Sequence, residues 1–198
     1  MPRKRTYLQA HQFQPHAADA EAVAELANVR FCRFGLTPRG RVYGVGGRIG
    51  DSNVSALLKL PKLIEVSVSN PGNTPVFTDE GFGELFGESS VQIFSCANNP
   101  ALTDRSAEAI KTSKQLRWLG LKDCTITDKG VEHISKQTRL LGLYLPNNQI
   151  SEKCVPDLCR LTNLRRLNLR YTPITDSARG TLSEHLTKCR DMRLGTAE

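Results

Sequence analysis

Three stretches of this chain superimpose at a period of 24 residues without a gap, and this regularity constrains the fold more than any other feature. They are LRWLGLKDCTITDKGVEHIS from Leu116, LLGLYLPNNQISEKCVPDLC from Leu140 and LRRLNLRYTPITDSARGTLS from Leu164. Leucine holds the first, fourth and sixth places of each: Leu116, Leu119 and Leu121, then Leu140, Leu143 and Leu145, then Leu164, Leu167 and Leu169. A lone alternation of this kind fits any half-buried strand, but three in register define a repeat. Weaker residues continue the columns in both directions: Val29, Cys32 and Phe34, then Leu63, Val66 and Val68, then Val91, Phe94 and Cys96, with Cys189, Met192 and Leu194 at the end. Seven strand starts are expected.

A second set of columns predicts a helix behind each strand. Ile49, Phe77, Leu102, Ile126, Ile150 and Ile174 each carry an acid two places on, namely Asp51, Asp79, Asp104, Asp128, Glu152 and Asp176. Val54, Phe82, Ala107, Val131 and Val155 follow, and three places later come Leu57, Leu85, Ile110, Ile134 and Leu158, a spacing that puts each pair on one helical face. Arg179 breaks the column, so the last helix is expected to be irregular. The pairs Thr78-Asp79, Thr103-Asp104, Thr127-Asp128 and Thr175-Asp176 sit where helices begin and read as caps for unpaired N–H groups. Capping accounts for the row of aspartates without a metal.

With these columns the chain resembles the leucine-rich-repeat family over about residues 29–195, in particular its ribonuclease-inhibitor-like, cysteine-containing subclass of the form LxxLxLxxCxITDxG. The unit holding Cys124, Ile126, Thr127, Asp128 and Gly130 matches that form throughout. The resemblance implies an α/β solenoid, a horseshoe with a concave parallel sheet and convex helices. It also implies that the ninth place, held by Asn99, Cys124, Asn148 and Thr172, points inward and bonds the turn backbone. Residues 1–28 are expected to form a basic, mobile N-terminus and a helical cap read from AADAEAVAELAN, and 29–198 a domain of about six repeats plus a terminal strand. Because this fold serves many unrelated binding tasks, it does not name a partner.

Composition narrows the function classes. With 39% hydrophobic residues in 198, the chain can bury a substantial core. No run of about 18 apolar residues is present, and the basic start MPRKR is not followed by an apolar signal region, so a cytoplasmic protein with no membrane association is expected. The Arg-bearing start also suits an organellar transit segment, although serine is scarce there. A net charge of +7 favours anionic partners. Cys32, Cys96, Cys124, Cys154, Cys159 and Cys189 match no zinc spacing and read as reduced thiols, with Cys124 structural. No metal and no cofactor is expected. Glycines 44, 46, 47 and 50 form neither dinucleotide nor phosphate-loop spacing. His11, His16, His133 and His185 lack an acid or nucleophile at persuasive spacing, so no enzymatic activity is expected.

Two candidate surfaces remain. Extra residues fall between strand and helix at the N-terminal end, in GLTPRGRVYGVGGR after Phe34, NPGNTPV after Val68 and ANNPA after Cys96. They are expected to share one rim, where Arg39, Arg41, Tyr43 and Arg48 suit either contact with a phosphate or acidic chain or a mobile hairpin. On the concave face, places three, five, seven and eight of each repeat look outward. Their N-terminal half is small and polar, whereas the C-terminal half gathers Trp118, Lys122, Tyr144, Arg166, Asn168, Arg170, Tyr171 and Arg193. Aromatic and arginine side chains dominate protein interfaces, and these eight form the candidate partner-binding set. The same groups are also able to stack on one another over the sheet. The leading expectation is a protein-binding module or scaffold for a partner of acidic or mixed surface. Alternatives are a nucleic-acid-associated or ribonucleoprotein component, from the charge with Arg3, Lys4 and Arg5, or a ubiquitin-ligase-type substrate adaptor, although residues 1–28 are not expected to hold an F-box-sized helical domain.

Overall fold

The computed structural model describes residues 7–70 and 75–195. Arg3, Lys4, Arg5 and the middle of NPGNTPV lie outside the described residues. Nine strands form one sheet in sequence order. Seven of them run parallel: β3 (Val42–Gly47), β4 (Glu65–Ser69), β5 (Ile93–Ala97), β6 (Trp118–Lys122), β7 (Gly142–Tyr144), β8 (Arg166–Asn168) and β9 (Asp191–Arg193). The fourth-place residues Val45, Val66, Phe94, Leu119, Leu143, Leu167 and Met192 stand side by side across them. All but Met192 are fully buried. Each of the strands β3 to β8 is followed by a short helix on the convex side: α2 (Val54–Leu58), α3 (Asp79–Glu88), α4 (Asp104–Ala109), α5 (Asp128–Ser135), α6 (Val155–Leu158) and α7 (Arg179–His185). The helical column residues, from Val54 and Leu57 to Val155 and Leu158, close the core from that side. In the last unit Ala178 takes the inward place and Arg179 stays outside, which resolves the break in the column.

The N-terminal end departs from the expected register. Cys32 and Phe34 are buried, but they flank and enter β2 (Arg33–Leu36), which pairs antiparallel with β3. The first parallel strand is therefore β3, inside the stretch expected to be an insertion. Residues 33–47 contain two strand-forming runs separated by Thr37-Pro-Arg-Gly40, and Gly40 supplies the positive φ of 72° that closes the hairpin. Two strands so close in sequence pair most readily as a hairpin. The chain ahead of it is also built in. Tyr7–Leu8 form β1 against β2, and Phe13 packs on Phe34 at 5.6 Å between ring centroids. Helix α1 (Ala20–Leu26) buries Ala22, Val23 and Leu26. The fully buried Asp19 accepts from both Nε and Nη2 of Arg41 and from the Val42 N–H, tying this end to the first repeat.

The Thr-Asp pairs divide their work in a way the spacing does not reveal. The hydroxyls of Thr78, Thr103, Thr127, Ser151 and Thr175 cap their own helical turns. The acids instead reach across to the next unit. Asp51 accepts from the Thr78 N–H and hydroxyl, Asp79 from Thr103, Asp104 from Thr127, Asp128 from Ser151 and Glu152 from Thr175. The motif's last residue completes the fit. A Cβ on Gly130 would stand 2.3 Å from Asp104 Oδ1, so only glycine leaves room for the neighbouring carboxylate. At the equivalent place Ser106 donates its hydroxyl to Asp79 instead. Burial opposes ionisation of Asp79, but its bonds from Ser106 and Thr103 outweigh that and hold the carboxyl below the usual range.

The ninth-place residues point inward and bond the turns. Asn148 donates to the Leu121 and Leu145 carbonyls and accepts from the Ile126 N–H, Asn99 donates to the Phe77 carbonyl and Thr172 to the Leu169 carbonyl. Cys124 donates weakly to the Lys122 carbonyl at 3.5 Å.

Candidate functional site

The concave face holds a groove of about 1050 Å³ that runs from Phe31 at the N-terminal end to Arg166 and Asn168. Its floor is low because the fifth places of β4, β5 and β6 are Ser67, Ser95 and Gly120, in register on neighbouring strands. A Cβ on Gly120 would already touch Ser95, so the floor is closely packed as well as flat. The Ser95 and Ser67 hydroxyls bond each other at 3.0 Å.

The C-terminal wall is aromatic. Trp118 and Tyr144 stack with centroids 6.2 Å apart and planes 28° from parallel, and the Arg166 guanidinium lies 5.9 Å from the Trp118 ring. Gly142 makes this possible. A Cβ there would fall 1.9 Å from Trp118 Cε3, so the indole lies directly over the neighbouring strand where any other residue would lift it away. Trp118, Tyr144 and Arg166 thus stack on one another, and Trp118 and Tyr144 stay half-buried in the groove wall.

Of the eight candidate residues, Trp118, Lys122, Tyr144, Arg166 and Asn168 line this groove. Arg170, Tyr171 and Arg193 do not. Arg193 pairs with Asp191 at 2.9 Å and holds that carboxyl below its usual range, so its charge is answered within β9. Tyr171 sits in the turn after β8, 51% exposed with φ 59°. Asn98, Asp123 and Asn147 adopt the same left-handed backbone at the equivalent turns, which suits their short polar side chains and is uncommon for tyrosine.

The expected rim loop is not one loop. Arg39 occupies the β2–β3 hairpin, Arg41 is held by Asp19, Tyr43 lies within β3 with its ring against Gly35, and Arg48 follows the far end of that strand. Part of this stretch forms the β2–β3 hairpin. Phe31, which no pattern singled out, is 54% exposed, carries φ 61° and lines the groove opposite Trp118, with the Arg30 guanidinium 5.2 Å from its ring.

The cysteines are free thiols, and Cys32, Cys96, Cys124 and Cys154 are buried. Burial pushes Cys32 and Cys154 up to about 12 and Cys96 to about 11, far from the reactive thiolate range. Among the described residues no group of three or more His, Cys, Asp or Glu is placed to hold a metal, and no helix is long and apolar enough to cross a membrane.

The fold is a leucine-rich-repeat solenoid: a curved stack of strand-and-helix units with a concave, mostly parallel sheet. Solved structures of that fold are similar to it. An internalin from Listeria monocytogenes matches with a TM-score of 0.58 and 20% identity over 79% of this chain, which spans 43% of that protein. A second internalin of the same bacterium matches with a TM-score of 0.51 and 14% identity, over 98% of this chain and 91% of its own length. Actin-binding site 2 of leiomodin-1 matches with a TM-score of 0.52 and 21% identity, over 68% and 86%. No family model matches the chain, and no curated protein does.

Proposed function

We propose that this protein is a non-enzymatic interaction module, a cytoplasmic scaffold or adaptor that holds a protein partner in the concave groove. The carrying observation is the Trp118–Tyr144–Arg166 stack standing over a floor of small side chains. Such an arrangement offers a large, rigid, amphipathic anchor beside a shelf on which an extended segment can lie close to the sheet. Arg166 at the groove's edge, with Lys122 beside its ion-pair partner Asp123, favours a partner of acidic or mixed surface. The leiomodin-1 domain is named for binding actin, a protein, on the same fold. The Cys124–Gly130 motif and the packing of Gly130 against Asp104 support placing the repeats in the cysteine-containing, ribonuclease-inhibitor-like subclass.

The test is site-specific photo-crosslinking in cells, with a photoreactive amino acid at Ser95 or Asn168 in the groove and at Glu132 on the outer face of α5. A protein adduct is expected from the groove positions alone, lost when Trp118→Ala/Tyr144→Ala is combined with them. Equal adducts from Glu132, or adducts removed by nuclease, would overturn the proposal. Circular dichroism of each variant separates lost binding from lost folding.

A further inference from the structure

The net charge of +7 is not spread evenly over the solenoid. Because β3 to β9 are parallel, every helix-to-strand turn arrives at one edge of the sheet and every strand-to-helix turn leaves from the other. The leaving edge carries the acid row Asp51, Asp79, Asp104 and Asp128, each occupied by the next unit's cap.

The arriving edge is basic. The backbone ladder there extends upstream of the strands, from the Arg117 N–H to the Gln92 carbonyl, Leu141 to Arg117, Arg165 to Leu141 and Arg190 to Arg165. Arg117, Arg165 and Arg190 therefore stand in one row, on strands about 5 Å from their neighbours. Arg139 fills the gap left by Leu141, donating to the Lys114 carbonyl at 3.4 Å while Arg117 donates to the Arg139 carbonyl at 3.3 Å. Lys188 donates to Asn163 Oδ1 at 2.7 Å. These bonds go to neutral groups, so they orient the cations without cancelling their charge. By contrast Lys111, Lys136 and Arg160, one turn further back on the helices, are paired with Glu108, Glu132 and Asp157. Two shallow concavities lie on this edge. One of about 410 Å³ is lined by Arg165, Thr187, Lys188 and Arg190, and one of about 470 Å³ at the N-terminal end includes Arg39 and Lys62.

We propose that this edge is a track for the phosphate backbone of a nucleic acid, separate from the concave groove and independent of its occupant. Arginine forks oriented by backbone carbonyls match phosphate geometry. A protein partner or a membrane surface would call for apolar anchors. The two exposed large apolar side chains among the described residues lie elsewhere, Phe31 in the groove and Tyr171 in a turn at the opposite edge. With bases unread, binding should be insensitive to sequence and strongly dependent on salt.

Fluorescence anisotropy with labelled oligouridine, oligothymidine and a duplex of about 20 nucleotides, between about 50 and 200 mM salt, tests this on the full chain. If Lys114, Arg117, Arg139, Arg165, Lys188 and Arg190 each neutralise one phosphate, the slope of log affinity against log salt for a single strand is about −4. Arg139→Glu/Arg165→Glu/Lys188→Glu should weaken binding by more than about tenfold and flatten that slope by about 2. Arg105→Glu/Lys129→Glu/Lys153→Glu, with the same change in net charge away from the track, should leave both near wild type, as should Trp118→Ala/Tyr144→Ala. Melting curves confirm that each variant is folded. Equal loss in the two charge-reversed triples, absence of binding to every oligonucleotide at the lowest salt, or tighter binding to polyglutamate or phosphatidylserine vesicles at matched salt would each overturn the proposal.

Discussion

The N-terminal end and the middle repeats bury comparable apolar columns but are held together differently. Between repeats, the same small device recurs: an acid of one unit accepts the cap N–H and hydroxyl of the next, and each interface resembles its neighbours. At the N-terminal end nothing recurs. An antiparallel hairpin, a short helix and the buried Asp19–Arg41 pair are used once, across 22 residues of sequence. The cores differ as well. Phe77, Phe82, Phe86 and Phe94 cluster with centroids 4.5 to 6.5 Å apart in the longer units, whereas the 24-residue units hold smaller aliphatic residues in the Phe77, Phe82 and Phe94 columns, such as Ile126, Val131 and Leu119. Repetition distributes stability over many equal interfaces, and a unique end concentrates it in a few contacts.

That contrast is open to direct attack. The largest effect is expected from Asp19→Ala, which strands the partly buried Arg41 guanidinium and leaves the Val42 N–H unpaired. A loss of about 3 kcal/mol in urea unfolding is expected. Hydrogen exchange should show residues 33–47 losing protection before residues 140–170. Simultaneous loss throughout would mean that the end and the repeats form one cooperative unit.

Within the repeats, Asp79→Ala should cost about 2 kcal/mol, because this carboxylate accepts from both Thr103 and Ser106. Asp104→Ala should cost less, since Asp104 faces Thr127 and the bare Gly130. Equal losses at the two sites would show that the Ser106 contacts add nothing.

The same carboxylate makes a pH prediction. Its folded pKa lies below the ordinary value, so its contribution to stability is complete above the unfolded pKa of about 3.9 and disappears as pH falls through the folded value. The melting temperature should decline in that acidic window, and Asp79→Asn should make the decline shallower.

The smallest change in stability, about 1 kcal/mol, is expected from Gly142→Ala. It should nonetheless displace the only tryptophan from the sheet and red-shift its emission. An unchanged spectrum would mean that the indole does not depend on Gly142 for its place.

The repeats were legible in the sequence because each residue of a solenoid meets its counterpart in the next turn, so three copies of a column report one environment three times. Leu119, Leu143 and Leu167 and the helix-capping Thr127 follow from that symmetry, and the inward ninth-place Asn148 is what the resemblance to the repeat family implied. The start of the repeat array was not legible. Cys32-Phe34 and Val42-Val45 both offer apolar residues to the core, and the choice of which joins the parallel ladder rests on hairpin pairing and on the Asp19–Arg41 contact. The candidate site was legible in half. Place numbering found Trp118, Tyr144 and Arg166, but not Phe31 across the groove, and it grouped with them Arg193, which Asp191 engages, and Tyr171 in a neighbouring turn.

The sequence by itself determined the period, the buried columns and the direction of the concave face, because these are local patterns repeated at fixed spacing. Only the tertiary structure decided where the stack begins, that each acid clamps the following unit, that Gly142 seats the indole, and that arginines from separate turns share one edge. Those features depend on which distant residues become neighbours when the units stack, and a periodic pattern records only what a residue is, not what is packed beside it.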